Sequence, residues 1–467
     1  MKRPFELRVA VVTFVAIFVF ATCALSQDVL SAPPTGGTPH IKNVQGSLFI
    51  PASSLKQTPP AGVKFAANTN VEILVPAGIT PNEAPPFSGY GFETPASLAC
   101  VYDLVTTISG CNPNSTVNVP TGGSGTIAIV DAFDNPEAAA DLAWFSDQFG
   151  LPLKVSQFQV VWANPPGSSC YLGSVPVDFS GGWEVEESLD VQWAHAMAPG
   201  ATIYLVEACS NYNTDLQMAV LVAANLVQCG LTEITTTGVG TCPTTSTGKG
   251  EISMSWGGGE FVGENGSTSC ATLDDSCFTA KNVVYFASSG DSPGVIWPGS
   301  SPNVVSSGGL STRRNPTTFN FIQEAGWVDA GGGPSAIEAR PSYQSGVSSI
   351  VGSARGTPDV SFNSDPNTGV YVYDTFPVDG FEYYPTGWLI VGGTSAAAPS
   401  LAGIVNRAGA FAASSNAELT TMYTNKAVTA DFTDITSAFC GPYMGYTAVT
   451  GYDFCTGIGE VHTLAGK

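Results

Sequence analysis

Gly392-Gly393-Thr394-Ser395-Ala396-Ala397-Ala398-Pro399 joins an apolar run, Trp388-Leu389-Ile390-Val391, to an Ala-rich stretch from Leu401 to Ala412. The run reads as a buried strand and the Ala-rich stretch as a helix, which sets Ser395 at a helix N-terminus. Free N–H groups and the positive end of the helix dipole favour an anion there. A nucleophilic serine needs that setting when the carbonyl it attacks becomes an oxyanion. A glycine-rich turn with Thr394 or Ser395 as an N-cap has the same pattern. The choice depends on whether the chain supplies a base.

Histidine is the usual base because its pKa lies near neutrality. The chain has 3 histidines, His40, His195 and His462. His40 lies in a Pro- and Gly-rich region, and His462 is close to the C-terminus. His195 ends a helical stretch just before Pro199-Gly200, where a structural role at the helix C-terminus is expected. The same stretch carries Glu186-Glu187-Ser188-Leu189-Asp190. Glu186 and Asp190 are one turn apart and share a face. Two close carboxylates titrate as a unit, which raises one pKa and lets a glutamate act as base toward serine in acid. A solvated acidic helix face is the plain alternative.

These residues must be carried by regular elements. Thr126-Ile127-Ala128-Ile129-Val130 reads as a strand, followed by Asp131-Ala132-Phe133-Asp134 and a helix over Glu137 to Phe149 with Leu142, Phe145 and Phe149 on one face. Further strands are expected at Phe158–Trp162, Thr202–Val206, Ile252–Ser255, Val283–Ala287 and Val304–Ser306, with helices at Trp183–Met197 and Leu216–Val227. Apolar strands alternating with helices predict an α/β fold, a central parallel sheet with helices on both faces. Ligands in such sheets bind outside the carboxyl ends of strands, where the Ser395 turn is expected. Asp131 and Asp134 follow the first strand and read either as turn caps or as support for a site. Thr235–Gly248 and Thr312–Ser349 read as long Gly-, Ser- and Thr-rich loops.

The chain has 467 residues with a formal net charge of -22. That balance argues against nucleic acid or an anionic membrane as partner. Residues 1–26 read as a secretory signal: Lys2, Arg3 and Arg8, then the apolar stretch Val9 to Ala21, then Ala24-Leu25-Ser26. A retained anchor is the alternative, and no later stretch is long and apolar enough to span a membrane. Eleven cysteines less Cys23 leave an even number with no CxxC pair, which argues for disulfides in an oxidising compartment rather than zinc. Near neighbours, Cys100 with Cys111, Cys170 with Cys209, Cys229 with Cys242, Cys270 with Cys277 and Cys440 with Cys455, form one natural pairing, although sequence does not determine connectivity.

Taken together, Glu186-x-x-x-Asp190 before Ala198-Pro199-Gly200-Ala201, and Gly393-Thr394-Ser395 downstream, resemble the sedolisin family of serine-carboxyl peptidases. Ser253-Met254-Ser255-Trp256-Gly257, Ala287-Ser288-Ser289-Gly290-Asp291-Ser292, Arg340-Pro341-Ser342-Tyr343-Gln344, Arg355-Gly356-x-Pro358-Asp359-Val360, Asp434-Ile435-Thr436-Ser437 and Gly451-Tyr452-Asp453 follow in the same order. The similarity runs from about Phe92 to His462. It implies a subtilisin-like fold and a secreted acid endopeptidase acting on protein or peptide substrates. By the same resemblance Ser395 is the nucleophile, Glu186 its base, Asp190 the residue that orients Glu186, and Asp291 a protonated donor to the oxyanion. It also implies one structural Ca²⁺ held by Asp434 and Asp453 with the carbonyls of Ile435, Val449 and Gly451, where Val449 departs from the family's usual glycine. The family carries a long folded prodomain. Residues 27–90, a linker or a short N-terminal segment, are expected to be at most a reduced propeptide before a peptidase domain at 91–467. Two other readings are a tripeptidyl-type exopeptidase and an inactive secreted binding protein on the same fold. A monomer without stable membrane association is expected throughout.

Overall fold

Ile127 and Ile129 point to one side of the strand Thr126–Ala132, and Ala128 and Val130 to the other. All four are fully buried, so this strand must be covered on both faces. The computed structural model describes residues 46–467 apart from 80–82, 172, 231–233, 236–237, 267–269, 271, 380–386, 438 and 441–444. Residues 1–26, read as a secretory signal, therefore lie outside the described residues. The described chain falls within one compact unit, Lys42–Lys467.

The main sheet runs, edge to edge, Phe432–Thr433, Glu460–Val461, Val360–Asn363, Val305–Arg314, Val283–Ser288, Gly250–Met254, Thr126–Ala132, Thr202–Ala208 and Phe158–Ala163. From Glu460–Val461 to Phe158–Ala163 every pairing is parallel. Helices Gly182–Met197 and Ala397–Ala408 pack in the apolar cluster on one face, and Asn213–Cys229 in the cluster on the other. The fold is therefore α/β, a central parallel sheet with helices on both faces, as the alternating pattern predicts. Among the described residues no helix is long and apolar enough to cross a membrane.

Three expectations are corrected. Trp388–Val391 is a strand, Gly387–Gly392, but it is not part of the parallel sheet. It belongs to a separate antiparallel sheet ordered Gly46–Phe49, Glu72–Pro76, Gly387–Gly392, Val370–Asp374. An apolar run looks alike in either sheet, because its partners are distant in sequence. Residues 46–79, where a loose linker was one reading, are instead tied into this sheet, with Val71, Ile73 and Leu74 buried. The stretch 312–349 is not a continuous loop. Phe321–Gly326 pairs antiparallel with Val305–Arg314, and Gly333–Ala339 with Ala354–Thr357. Apolar and polar residues do not alternate regularly along 321–326 and 333–339, so these strands lack the pattern that marks a strand in sequence.

The two helices on the Ser395 side lie close because Gly403 has no side chain. A Cβ there would sit 2.9 Å from the Ala194 carbonyl oxygen and 2.8 Å from the Met197 Cβ. Helix Ala397–Ala408 starts before the expected Leu401 and ends at Gly409, whose φ of 74° is a left-handed cap. Five disulfides close Cys100–Cys111, Cys170–Cys209, Cys229–Cys242, Cys270–Cys277 and Cys440–Cys455, the near-neighbour pairing.

Candidate active site

Ser395 sits in the single 3₁₀ turn Thr394–Ala396 that opens into helix Ala397–Ala408. Gly393 precedes it with φ 112°, a conformation that needs glycine, and a Cβ there would meet the Asn70 carbonyl oxygen at 2.0 Å. The Ser395 hydroxyl donates to the Ser255 carbonyl at 3.1 Å and accepts from the Asn70 N–H at 3.2 Å. The Ser395 N–H donates to the Asn70 carbonyl oxygen at 3.2 Å. Ser255 follows the parallel strand Gly250–Met254 and fastens the turn by donating its hydroxyl to the Ser395 carbonyl at 3.2 Å. The turn therefore does lie at the carboxyl edge of the parallel sheet, although its own strand is in the other sheet.

Every residue of helix Gly182–Met197 is buried, including Glu184, Glu186, Glu187, Asp190 and His195. The solvated acidic face is thus excluded. Gln192 Nε2 donates to the Tyr373 carbonyl at 2.6 Å and Trp193 Nε1 to the Tyr371 carbonyl at 3.0 Å, locking the helix inward. Burial raises the Glu186 pKa first, and Asp131 and Asp291 raise it further. The nearby Ser395 hydroxyl and Asn70 N–H oppose the rise. Even so, neither Glu186 oxygen closes a hydrogen bond within ordinary range. Asp190 is raised by burial, by Asp131 and by Glu186, with the Ser255 hydroxyl opposing. Asp131, from the end of the first strand, is pushed up by burial to about 8. These three carboxyls cannot all ionise in a dry interior and must share protons.

Asp291 arrives from the loop after strand Val283–Ser288. Its Oδ1 accepts from the Thr394 N–H and from the Thr394 hydroxyl, each at 2.7 Å, and the Gly290 N–H holds that hydroxyl at 3.0 Å. Its Oδ2 is buried and unpaired. The Asn70 oxygen and Asp291 Oδ2 crowd the same point, 2.0 Å and 2.6 Å from where a Gly393 Cβ would be. Burial, then Glu72, raise the Asp291 pKa well above the usual range. A carboxyl whose Oδ1 only accepts can donate from Oδ2 when it is protonated, which is what an oxyanion-stabilising carboxyl requires.

The structure thus brings Ser395, Glu186, Asp190 and Asp291 into one neighbourhood. Sequence reasoning missed Asn70, Ser288, Thr394 as the Asp291 anchor, and Glu72. Glu72 is raised to about 7 by burial, then by Asp329 and Asp365. The apolar run Val71–Val75 is compatible with a strand but has poor periodicity, so local pattern gives little sign of the N-terminal residues. Asp134 accepts from Trp162 Nε1 at 2.9 Å and stands beside Glu207. His195 is buried, unpaired and pushed down to about 4, hence neutral above that pH.

Asp434, Ile435, Val449, Gly451 and Asp453 lie together near the C-terminus. Asp453 Oδ1 accepts from the Cys455 and Thr456 N–H groups and Oδ2 from the Val449 N–H, all at 2.9 Å. That is the bonding of a turn cap. Asp434 Oδ2 accepts from the Gly451 N–H at 2.8 Å, while its Oδ1 is buried without a partner. This orphaned oxygen is the atom that a cation would satisfy. Among the described residues no group of three or more His, Cys, Asp or Glu side chains is arranged to hold a metal.

No protein-family model matches the chain. Kumamolisin from Bacillus sp. (strain MN-32) is 30% identical over 337 residues, covering 67% of this chain and 55% of that protein. Sedolisin from Pseudomonas sp. (strain 101) is 25% identical over 361 residues, covering 74% of this chain and 57% of that protein. The chain thus spans little more than half the length of these relatives. The solved structure of Pseudomonas sedolisin, a serine-carboxyl proteinase complexed with two molecules of pseudo-iodotyrostatin, superposes with a TM-score of 0.59 at 24% identity, covering 79% of this chain and 95% of that one. On these similarities and its subtilisin-like fold, the chain belongs to the sedolisin family.

Proposed function

We propose that this protein is a secreted serine-carboxyl endopeptidase that hydrolyses peptide bonds in acid. Ser395 attacks the substrate carbonyl, Glu186 takes its proton, Asp190 orients and shares charge with Glu186, and Asp291, protonated, donates to the oxyanion with the Ser395 N–H. One observation carries this reading. A peptide carbonyl oxygen, that of Asn70, already rests against the Ser395 N–H and beside Asp291 Oδ2. The five disulfides and the acidic composition favour a secreted, acid-tolerant protein. A continuous chain, residues 65–76, enters the cleft and leaves it, which favours internal cleavage over an exopeptidase. The test is a pH profile of casein cleavage by purified protein beside Ser395→Ala. The expected optimum is acidic; a neutral or alkaline optimum overturns the carboxyl mechanism.

The oxyanion role has its own test. Asp291→Ala removes the donor and should lower kcat by about 10²–10³-fold. Asn at 291 keeps an acceptor for Thr394 and an N–H donor that does not titrate. Asp291→Asn should therefore retain part of the activity and extend it to higher pH. A profile with the wild-type alkaline limb would assign that limb to another group.

A single Ca²⁺ at Asp434 and Asp453, with the carbonyls of Ile435, Val449 and Gly451, belongs to the same reading, and Asp434 Oδ1 supports it. Calcium binds oxygen donors and stabilises whichever state holds it. Added calcium should raise the melting temperature, chelator should reverse the rise, and Asp434→Asn should remove it. A melting temperature indifferent to calcium counts against the site.

A further inference from the structure

The buried carboxyls do not end at the active site. Asp131 and Glu207 are register partners on neighbouring parallel strands, and Glu207 is in turn the partner of Trp162 on the edge strand Phe158–Ala163. Register partners point to the same face, and neighbouring strands lie about 4.8 Å apart, so the three side chains form one row. Their face is that of Ile129, Leu205 and Val160, against which helix Gly182–Met197 packs. The helix sets Glu187 beside Glu207 and Asp131. At the sheet edge Asp134 accepts from Trp162 Nε1 at 2.9 Å and lies within hydrogen-bonding reach of Glu207. Trp162 is 40% exposed and Asp134 half-buried, so this end of the row meets solvent. At the other end Asp131 faces Glu186 and Asp190.

Asp131, Glu187 and Glu207 are fully buried. Both oxygens of Asp131, both of Glu187 and Oε2 of Glu207 lack a hydrogen-bond partner, while Glu207 Oε1 accepts from the Asn135 N–H at 3.2 Å. The other charged groups around them are also acids: Glu184 beside Glu187, Asp178 and Asp374 beside Glu184, and Asp291 beside Glu186. Among the described residues none of these carboxyls forms an ion pair with Lys, Arg or His. Without a cation, such oxygens are satisfied by protons held between carboxyls or on bridging water, and either arrangement can pass a proton along the row. We propose that Asp134, Glu207, Glu187 and Asp131 form a proton relay joining solvent at the sheet edge to Glu186 and Asp190 by a route that avoids the cleft. This rests on the acid endopeptidase reading above. A chain lying over Ser395 keeps water from Glu186, which must shed its proton before it can act as a base. That proton moves from Glu186 or Asp190 to Asp131, then to Glu187, Glu207 and Asp134, and leaves on water. At each hop one O–H bond breaks and one forms. The net change is one ionised carboxylate at the site and one proton in solvent, and the reverse sequence restores the proton. The four relay residues do not touch substrate; they act through Glu186.

The test is steady-state cleavage of a short peptide in acid, in ordinary and heavy water, by the full-length protein and by Glu187→Gln, Glu207→Gln, Asp134→Asn, Glu207→Asp and the double variant Glu187→Gln/Glu207→Gln. An amide matches the shape of a protonated carboxyl but does not hand its proton on, so folded variants are expected, and thermal melts check this. Asp134→Asn breaks the path at its half-buried end without altering the core. Each single amide variant should lower kcat about tenfold with KM unchanged, and should raise the solvent isotope effect on kcat as proton exchange becomes the slow step. The double variant should be no slower than either single, because one gap already breaks a path in series. Glu207→Asp keeps a carboxyl and should recover part of kcat. Wild-type kcat in any folded single amide variant overturns the relay and leaves the endopeptidase reading standing. Losses that multiply in the double variant, that come with a raised KM, or that leave the isotope effect unchanged mark a structural role and also overturn the relay. Wild-type protein that cleaves nothing in acid overturns the endopeptidase reading and the relay with it.

Discussion

Replacing Ser395 by Ala, or Glu186 by Gln, is expected to lower kcat/KM for acid proteolysis by about 10⁴-fold or more, the loss seen when a member of a coupled nucleophile–base unit is removed. The double variant should be little worse than either single, because the two act on one proton transfer. In the structure the Ser395 hydroxyl donates to the Ser255 carbonyl, so it must rotate to reach Glu186. Such long contacts in a resting site tighten when the reacting complex forms. Glu186 is raised chiefly by burial, and residues 65–76 cross the cleft with the Asn70 N–H beside it. A vacated cleft readmits water and lets Glu186 ionise more easily, while Asp291 keeps its proton in acid. Activity therefore needs one carboxyl charged and one neutral, which confines it to an acidic window. Glu186→Gln is nearly isosteric and leaves no new buried charge, so a folded but inactive protein is the diagnostic result. Activity that survives Glu186→Gln rejects Glu186 as the base.

The second large effect is on stability. The protein should be most stable in acid and lose stability as pH rises from about 4 toward 8, by an amount that lowers its melting temperature by about 10 °C or more. Burial pushes Asp131, Glu324 and Glu264 to about 8 and Glu184 to about 9. In an unfolded chain such groups ionise near pH 4, at about 3.9 for Asp and 4.3 for Glu. Between those limits the folded state holds protons that the unfolded state has released, so raising pH favours unfolding. The contribution is full below the unfolded pKa and gone above the folded one. Each retained proton is worth about 1.4 kcal/mol per pH unit. The measurement is thermal unfolding from acid to mildly alkaline pH. A flat or rising profile would mean that these carboxyls ionise within the folded protein.

The acidic helix shows where reading residues in order stops being informative. Glu186 and Asp190 sit one turn apart whatever surrounds them, so their pairing was legible. Their burial was not: it comes from Gln192 and Trp193 docking on Tyr373 and Tyr371, and from Gly403 admitting a second helix. Asn70 was invisible for the same reason, since its partners Ser395 and Ser288 lie far along the chain.

By itself the sequence determined the α/β class, the strand and helix positions around Asp131, Glu186 and Ser395, and a plausible cysteine pairing. These depend on local periodicity, on turn residues and on short loops that close easily. Only the tertiary structure decided which sheet the Ser395 strand joins, that Asp131, Glu184, Glu186, Glu187 and Asp190 are buried, and that residues 65–76 occupy the cleft. Those outcomes depend on pairing between distant segments and on desolvation, neither of which local composition encodes.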